Sequence, residues 1–437
     1  MPDSNPDSRY IAAHVVSQVL GGASLDQLWP EAGLHLDEKN RALAQELIYG
    51  TLRWQPRLEW WTRQLLHHPG KVNPMIRALL WVGVYQILFM RIPSHAAVHE
   101  TVAVCGRIRQ GNKAKGLVNA VLRQSLRGEK ELRRKMSACT QAYYAFPGWW
   151  IDLCRRDWPD EWKAILSYSN QRPPMFLRLN ALYRTDPDIP ERLQQQGISA
   201  WPMPDMNQAW LLGRGVPVES LPDFQQGSCS IQDGGAQWAA TFLAVEPGMR
   251  VLDACCAPGG KTGHILERCH GACDLWALDV NQDRLKRVHE NLARLKLHAR
   301  VCHGDLLKPE LWWDGTGFDR ILLDAPCSGS GVVRRHPDIK ILRREQDISV
   351  FSLRQKRLIE NAWKLLKPGG KLVYSTCSIF RQEGEGVVRD WLGAQTDAVI
   401  SMPPCMPWMH PADPGVYLLP GKLGMDGFYY AVIDKMD

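Results

Sequence analysis

The sequence predicts a multidomain protein: an all-α bundle, then a small α+β module, then an α/β domain with a doubly wound parallel sheet. Residues 9–135 place apolar side chains at helical spacing and show no strand pattern. From Ala145 to about residue 240, helical and strand-like runs mix, and Pro and Gly are frequent. From Met249 onward, short apolar runs alternate with helical patterns, which indicates a parallel sheet flanked by helices.

The N-terminal part is expected to form about six helices. The first has Ile11, Val15 and Val19 on one face. The others are predicted at Asn40–Leu52, Leu58–Leu66, Ile76–Met90, Ala96–Ile108 and Leu117–Leu126. Asn73-Pro74 is typical of a helix start, and the helix that follows is apolar nearly all round, so we expect it in the centre of the bundle.

Boundaries are predicted at 1–144 for the bundle, 145–240 for the α+β module and 241–437 for the α/β domain. The predicted parallel strands are Arg250–Asp253, Leu275–Asp279, Arg300–His303, Arg320–Asp324 and Lys371–Ser375. Helices are predicted at Lys261–Cys269, Gln282–Leu295 and Ser352–Leu366. A late run, Gly427-Phe-Tyr-Tyr-Ala-Val-Ile, predicts an added antiparallel strand.

Bulk properties are those of a globular protein. Of 437 residues, 45% are hydrophobic and 23% charged. No apolar run approaches the roughly 20 residues that span a bilayer, and the N-terminus lacks the pattern of a secretory signal. Twelve scattered cysteines indicate reduced thiols, and Cys269-x-x-x-Cys273 has no second pair at zinc-finger spacing. We therefore expect a cytoplasmic protein with no membrane partner and no metal.

Positive charge is concentrated in the N-terminal part. Residues 1–135 hold 19 Lys and Arg against 11 Asp and Glu, a net charge of +8, whereas the remainder carries −1. The densest run, Arg107 to Arg134, has nine basic residues against Glu129 and Glu131. Such a run either attracts phosphate groups or forms a solvated helix face, and the run alone does not decide between them.

A glycine turn follows the first predicted strand, in Asp253-Ala-Cys-Cys-Ala-Pro-Gly-Gly-Lys-Thr. It matches neither G-x-G-x-x-G nor G-x-x-x-x-G-K-[ST], which disfavours a dehydrogenase or a kinase. Acids end the first four strands at Asp253, Asp279, Asp305 and Asp324. Asp279 is placed to accept ribose hydroxyls, and Asp305 to accept from an adenine amino group. A nucleoside cofactor without pyrophosphate, S-adenosylmethionine, fits this pattern.

Two cysteines follow buried strands, Cys327 in Asp-Ala-Pro-Cys-Ser-Gly and Cys377 in Ser-Thr-Cys-Ser. A single cysteine there would most simply be a small buried apolar residue. Two at neighbouring strand ends favour nucleophilic chemistry. Methylation at carbon 5 of cytosine requires a nucleophile at carbon 6, a base for the carbon 5 proton and an acid near ring nitrogen 3. Cys377, Cys327 and Asp324 supply these three groups.

On these motifs, residues 145–437 resemble the RNA cytosine-C5 methyltransferases of the NOL1/NOP2/Sun class, and the helical N-terminus is similar to the NusB antitermination fold. The run Arg334-Arg-His-Pro-Asp-Ile-Lys resembles a loop of the bacterial subgroup that acts on 16S ribosomal RNA. The resemblance implies a Rossmann-like class I methyltransferase domain, S-adenosylmethionine as cofactor and 16S ribosomal RNA as partner. It also implies cytosine 967 as the methylated base. We expect a monomer.

The resemblance also implies residue roles. Cys377 is the nucleophile that forms a covalent adduct with cytosine, Cys327 assists product release, and Asp324 contacts ring nitrogen 3. The cofactor pocket is implied to include Cys255, Cys256, Ala257, Pro258, Gly259, Gly260, Lys261, Asp279, Asp305 and Asp324. RNA contacts are expected from Arg107, Arg109, Lys113, Lys115, Arg334 and Arg335.

The sequence departs from the family pattern at two places and leaves two alternatives open. Cys256 stands where Ala is usual, and Arg381-Gln-Glu-Gly stands where Pro-Glu-Glu-Asn is usual. One alternative is a DNA cytosine-C5 methyltransferase with Cys327 as nucleophile. The other is a NusB-like RNA-binding or antitermination factor without catalysis, against which the four intact strand-end acids argue.

Overall fold

The structure is a computed structural model that describes residues 7–34, 36–183, 188–401 and 405–436. It comprises two compact units. One consists of Met1–Gln171 and Val333–Glu345, and the other of Arg172–Val332 and Gln346–Asp437. The segment Val333–Glu345, which lies in the C-terminal half of the sequence, therefore belongs to the first unit.

Helices form the first unit. They are α1 (Ser8–Leu20), α2 (Leu25–Gly33), α3 (Glu38–Arg53), α4 (Gln55–Arg63), α5 (Pro74–Phe89), α6 (Ser94–Val104), α7 (Lys115–Arg127), α8 (Glu129–Met136), α9 (Thr140–Tyr144), α10 (Gly148–Asp157) and α11 (Trp162–Ser169). Asp7 and Asn73 accept hydrogen bonds from backbone N–H groups in the first turns of α1 and α5, as N-cap residues do. Every residue from Ala78 to Gln86 is buried, so α5 is the central helix, as predicted.

An antiparallel sheet opens the second unit. Its strands are β1 (Phe176–Leu179), β2 (Ala200–Met203), β3 (Met206–Leu212) and β4 (Cys229–Ile231), in the order β2-β3-β1-β4, and helix α12 (Ile189–Gln195) lies between β1 and β2 in the chain. Leu177 and Leu193 belong to its small apolar core. An α+β module was predicted in this part of the chain, and its bounds, 145–240, stay a prediction.

A larger sheet carries the rest of the second unit. Its strands are β5 (Arg250–Ala254), β6 (Asp274–Asp279), β7 (Arg300–His303), β8 (Phe318–Asp324), β9 (Leu366–Thr376), β10 (Ala398–Ile400), β11 (His410–Pro411), β12 (Val416–Leu418) and β13 (Phe428–Lys435). The order is β11-β12-β13-β9-β8-β5-β6-β7, with β10 paired to β13. Its helices are α13 (Gly234–Leu243), α14 (Gly260–Arg268), α15 (Gln282–Leu295), α17 (Glu345–Leu365) and α18 (Glu385–Leu392). The short α16 (Ile339–Leu342) belongs to the first unit.

The strand directions position the site. Strands β7, β6, β5, β8 and β9 are parallel neighbours, and β13 pairs antiparallel with β9. The predicted fold class, including the late antiparallel strand, is confirmed. Because parallel strands end at one edge of the sheet, Asp253, Asp279, Asp324 and the residue after β9, Cys377, lie along the same edge. Within the described ranges, no helix has both the length and the apolar character to cross a membrane.

Candidate active site at the carboxyl edge of the parallel sheet

The turn from β5 into α14 requires an unusual backbone. Cys255 has φ +63° and Gly259 has φ +95°, both in the left-handed region. A Cβ on Gly259 would lie 3.1 Å from the Cα of Val288 in α15, so only glycine fits without displacement. The turn thereby packs closely against α15 and presents its backbone toward the sheet edge.

Asp279 joins this turn to the end of β6. It is buried, and its Oδ1 accepts from the N–H of Asn281 at 2.8 Å while its Oδ2 accepts from the N–H of Ala257 at 3.1 Å. Each oxygen keeps a second lone pair for a ligand. Asp305, half-buried just after β7, accepts from the N–H of Leu307 at 3.0 Å.

A cavity of about 220 Å³ lies between these acids and α17. Its lining residues are Cys255, Leu278, Asp279, Val280, Asn281, Arg284, Gly304, Asp305, Leu306, Pro326, Arg354 and Leu358. Three of the predicted cofactor residues are therefore brought together: Cys255, Asp279 and Asp305. The side chain of Arg354, which α17 contributes, was not predicted from the sequence.

Lys261 in the first turn of α14 and Asp324 at the end of β8 form an ion pair. Both were predicted to contact the cofactor. Asp324 Oδ1 also accepts from Ser375 Oγ at 2.9 Å, and the Lys261 ammonium lies 5.3 Å from the ring centroid of Phe428. The pair is partly buried. Asp324 is thus held between the first turn of α14 and strand β9.

Asp253 occupies a different environment. It is fully buried, its Oδ2 accepts from Thr262 Oγ1 at 2.6 Å, and its Oδ1 has no hydrogen-bond partner within the described residues. Burial raises the pKa of Asp253 to about 7, the Thr262 hydrogen bond opposes the shift, and the negative charge of Asp324 adds to it.

The two predicted thiols meet. Sγ of Cys327, after β8, lies 3.4 Å from Sγ of Cys377, after β9. Backbone bonds hold their loops together: Gly331 N–H donates to Cys377 O at 2.9 Å, and Ala325 N–H donates to Ser375 O at 2.9 Å. The hydrogen bond with Cys377 raises the pKa of the Cys327 thiol, and burial raises it further. Cys327 therefore keeps its proton more readily than an ordinary cysteine.

Among the described residues, Cys255 and Cys256, in the turn after β5, have no thiol partner of this kind. Burial raises the pKa of both Cys255 and Cys256, so neither is an activated thiol. Cys256, which stands where the family pattern has Ala, is buried in the apolar core of the second unit. The substitution adds a small core side chain rather than a reactive group.

Glu383 is a residue of this site that sequence reasoning missed. It lies in the Arg381-Gln-Glu-Gly segment, is fully buried, and accepts hydrogen bonds from the serines that follow the two thiols. The signal in the sequence was the serine after each cysteine, Ser328 and Ser378, together with an acid five residues beyond the second.

The predicted RNA-binding residues all belong to the first unit and differ in exposure. Arg107, Arg109, Lys113 and Lys115 are exposed, and Arg335 is half-buried. Arg334 is only 2% exposed, and its carbonyl accepts from Arg53 Nη2 at 2.9 Å. Its burial argues against a direct phosphate contact, because the side chain is turned away from the surface.

The fold and the site define an α/β methyltransferase-like domain joined to a helical domain, and the comparisons agree. The family model for 16S rRNA methyltransferase RsmB/F matches residues 240–434, the NusB family model matches residues 6–127, and a ferredoxin-like domain of RsmF/B-like methyltransferases matches residues 146–219.

Full-length relatives are more specific. The ribosomal RNA small subunit methyltransferase B of Vibrio cholerae is 43% identical over 98% of this chain and 97% of its own length. That of Pectobacterium carotovorum is 43% identical over 99% of each chain. The chain belongs to this family, the ribosomal RNA small subunit methyltransferases B.

Among solved structures, a methyltransferase homologue from Pyrococcus horikoshii is similar to 68% of this chain and 97% of its own, with a TM-score of 0.59 and 29% identity. NSun6 from the same organism covers 67% of this chain and 99% of its own, with a TM-score of 0.60; at 19% identity it shows the fold alone. The cofactor of the family is S-adenosylmethionine. A carboxylate-lined cavity without a phosphate-binding turn fits such a nucleoside.

Proposed function

We propose that this protein transfers a methyl group from S-adenosylmethionine to carbon 5 of a cytosine in 16S ribosomal RNA, and that the base is cytosine 967. The observation that carries the cytosine-C5 assignment is the thiol pair, 3.4 Å apart, at the edge that also presents Asp279 and Asp324. A single nucleophile would suit many methyl transfers, whereas two adjacent thiols match addition to a ring and later release from it. Support for ribosomal RNA comes from the names of the relatives.

The acids that line the cavity and the turn after β5 bind the cofactor. Asp279 and Asp305 are placed to accept from hydroxyl and amino groups of the nucleoside, and the turn from Cys255 to Lys261 brings backbone close to it. When bound, the cofactor supplies an electrophilic methyl group.

The chain's own residues act on the base. Cys377 Sγ releases its proton to solvent and, as thiolate, bonds to carbon 6 of the ring. The electron pair of the 5,6 double bond moves toward ring nitrogen 3, where the Asp324–Lys261 pair is placed to supply a proton. Carbon 5 thereby becomes nucleophilic. After methylation, Cys327 releases its own proton to solvent and, as thiolate, removes the carbon 5 proton. The double bond re-forms, the bond to Cys377 breaks, and ring nitrogen 3 returns its proton to the Asp324–Lys261 pair.

The roles of the thiols follow from their surroundings. The raised pKa of Cys327 disfavours it as the attacking thiolate, and makes the resulting thiolate a stronger base for the carbon 5 proton. The same observation disfavours the alternative of a DNA-type enzyme with Cys327 as nucleophile. A non-catalytic antitermination factor would have no use for the paired thiols. We place the activity in the cytoplasm, where ribosomal RNA is made.

The test is bisulfite sequencing of 16S ribosomal RNA from a deletion strain carrying wild-type protein, Cys377→Ala or Cys327→Ala. We expect one cytosine to lose protection in the deletion strain and to regain it only with the wild type. Purified Cys327→Ala should accumulate a protein–RNA adduct on denaturing gels, and Cys377→Ala should form none. An unchanged bisulfite pattern in the deletion strain would refute the proposed function, and the reverse adduct pattern would exchange the two roles.

A further inference from the structure

Each thiol is followed by a serine that the proposed chemistry does not use. Ser328 and Ser378 are both fully buried, although their neighbours Cys327 and Cys377 are partly exposed. A buried hydroxyl needs a hydrogen-bond partner, and these two share one.

The shared partner is Glu383. Its Oε1 accepts from the N–H of Ser328 at 2.7 Å, and its Oε2 accepts from the hydroxyl of Ser328 and, at 2.7 Å, from the hydroxyl of Ser378. Gln355 of α17 adds a longer bond of 3.3 Å to Oε1. One carboxylate therefore bonds to the residue beside each thiol.

The network extends along both loops. Ser378 Oγ lies 2.9 Å from Ser330 Oγ, which accepts from the N–H of Ile379 at 2.9 Å. Gln355 Nε2 also donates to the carbonyl of Pro326 at 2.9 Å, directly before Cys327. The two thiol loops are thus linked through side chains as well as through their backbone.

The donors around Glu383 suit a carboxylate. A carboxylate only accepts, so both serine hydroxyls donate to it, and Ser378 is left to accept from Phe380 N–H at 3.1 Å and from Ser330. A buried carboxylate costs free energy unless several donors surround it. Burial raises the pKa of Glu383, and the bonds from Ser328 and Ser378 counteract the shift.

We propose that Glu383 is a positioning residue: its carboxylate fixes the loops after β8 and β9 so that Cys327 and Cys377 stay within reach of one cytosine ring. This rests on the proposed function, but the thiol spacing itself is a property of the protein alone. Loss of the carboxylate frees both serines, and the loops then hold the thiols over a wider range of distances. The negative charge of Glu383 also adds to the raised pKa of Cys327, behind the Cys377 hydrogen bond and burial.

The test compares Glu383→Gln, Glu383→Asp and a matched control, Glu385→Gln. Glu385 is two residues away and also buried, but it pairs with Arg381 at 2.8 Å and with Arg389. Thiol proximity is measured without RNA or cofactor, by bridging with the dithiol reagent dibromobimane and identifying the bridged Cys327–Cys377 peptides by mass spectrometry. Thermal unfolding reports whether each variant is folded.

We expect Glu383→Gln to lower the yield of the Cys327–Cys377 bridge several-fold, Glu383→Asp to recover part of it, and Glu385→Gln to match the wild type. With RNA, Glu383→Gln should lower kcat at least tenfold, leave the Kd for S-adenosylmethionine unchanged, and move the pH dependence of product release to lower pH. Wild-type bridging and kcat in Glu383→Gln would overturn the proposal, as would equal losses in Glu385→Gln. If the wild type methylates no RNA, the proposed function fails, and the bridging yields still decide the role of Glu383.

Discussion

At the residue scale, identical side chains at the sheet edge differ in what surrounds them. Asp279 accepts from two backbone N–H groups, and Asp324 forms an ion pair with Lys261. Asp253 has one hydroxyl donor and an oxygen atom with no hydrogen-bond partner among the described residues. Burial raises the pKa of this acid, which lies behind the turn, so folding favours its protonated form.

The difference in Asp253 should appear in the pH dependence of the protein's free energy of unfolding. The pKa of Asp253 is raised from 3.8 to about 7, so the folded chain binds this proton more tightly than the unfolded chain does. Its contribution to the free energy of unfolding is complete below pH 4 and is lost as the pH rises through 7, by at most about 1.4 kcal/mol per pH unit. In urea unfolding at pH 5 to 8, Asp253→Asn should gain stability relative to the wild type as the pH rises.

Asp319 provides a control of opposite sign at the other end of β8. Burial acts to raise its pKa, but hydrogen bonds from Lys367, at 2.7 Å, and from the N–H of Arg250 outweigh burial and lower it. Its contribution is present above the ordinary carboxylate pKa and is lost on acidification. Asp319→Asn should therefore reduce the loss of unfolding free energy at acid pH.

For Asp253→Asn, a difference in unfolding free energy from the wild type that stays constant from pH 5 to 8 would contradict the raised pKa of Asp253.

At the scale of elements, the turn between β5 and α14 sets the cofactor side of the site. Gly259→Ala should destabilise the folded protein for two reasons. The left-handed backbone costs an alanine about 1 kcal/mol, and the new Cβ would lie 3.1 Å from Val288 Cα. We expect a lower melting temperature and at least a tenfold weaker Kd for S-adenosylmethionine, measured by calorimetry, because the turn must move away from α15.

Gly248→Ala is the matched control. Gly248 has φ +85°, similar to Gly259, but a Cβ there meets no atom within 4 Å. It should lower the melting temperature by the backbone cost alone and leave the Kd unchanged. If Gly248→Ala weakens the cofactor as much as Gly259→Ala does, close packing of the turn on α15 is not what shapes the site.

Elements with a clear apolar period were predictable, and α15 has the predicted bounds, Gln282–Leu295. Helix α8, Glu129–Met136, was missed because only Leu132 and Met136 are buried, too few to form a periodic pattern. The thiols and acids were predictable because chain position alone places them at strand ends. Glu383 and Arg354 were not. Two partners of Glu383, Ser328 and Gln355, lie 55 and 28 residues away in the chain, and an acid or arginine outside a recognised motif is usually a solvated side chain.

At the scale of the whole molecule, the chain leaves the catalytic unit after Val332 and returns at Gln346. Within the first unit, Lys340 anchors this segment: its buried ammonium donates to the carbonyls of Arg53 at 2.7 Å and Ala145 at 3.0 Å, and to Asn170 Oδ1 at 2.6 Å. Burial lowers the pKa of Lys340 well below its usual range. The loop that was expected to contact RNA through Arg334 is thus in part a structural anchor.

The exposed basic residues between Arg107 and Lys115 are the remaining predicted RNA contacts in the first unit, apart from Arg335. We propose that Arg107, Arg109, Lys113 and Lys115 contact the phosphate backbone of ribosomal RNA. All four are exposed, and within the described residues no carboxylate lies within 4.0 Å of Arg109, Lys113 or Lys115. In contrast, three basic residues of α8 have carboxylate partners: Arg133 pairs with Glu129, and Arg134 and Lys135 share Glu131.

This contrast gives a matched test. The triple variant Arg109→Gln, Lys113→Gln, Lys115→Gln and the triple variant Arg133→Gln, Arg134→Gln, Lys135→Gln remove the same net charge. If the first set binds phosphates, its loss should weaken RNA binding and reduce the slope of log K against log salt by about 2, since each contact releases roughly 0.7 counterion from single-stranded RNA.

The second triple variant should leave the slope nearly unchanged, because its cations already have carboxylate partners. Filter binding of a 16S ribosomal RNA fragment between 50 and 300 mM salt measures both, and the Kd for S-adenosylmethionine should be unchanged in each. Equal slopes for the two triple variants would mean that only net charge matters. The Arg107–Lys115 stretch would then be a solvated face, and Arg335 or the antiparallel module, residues 172–231, would have to hold the RNA.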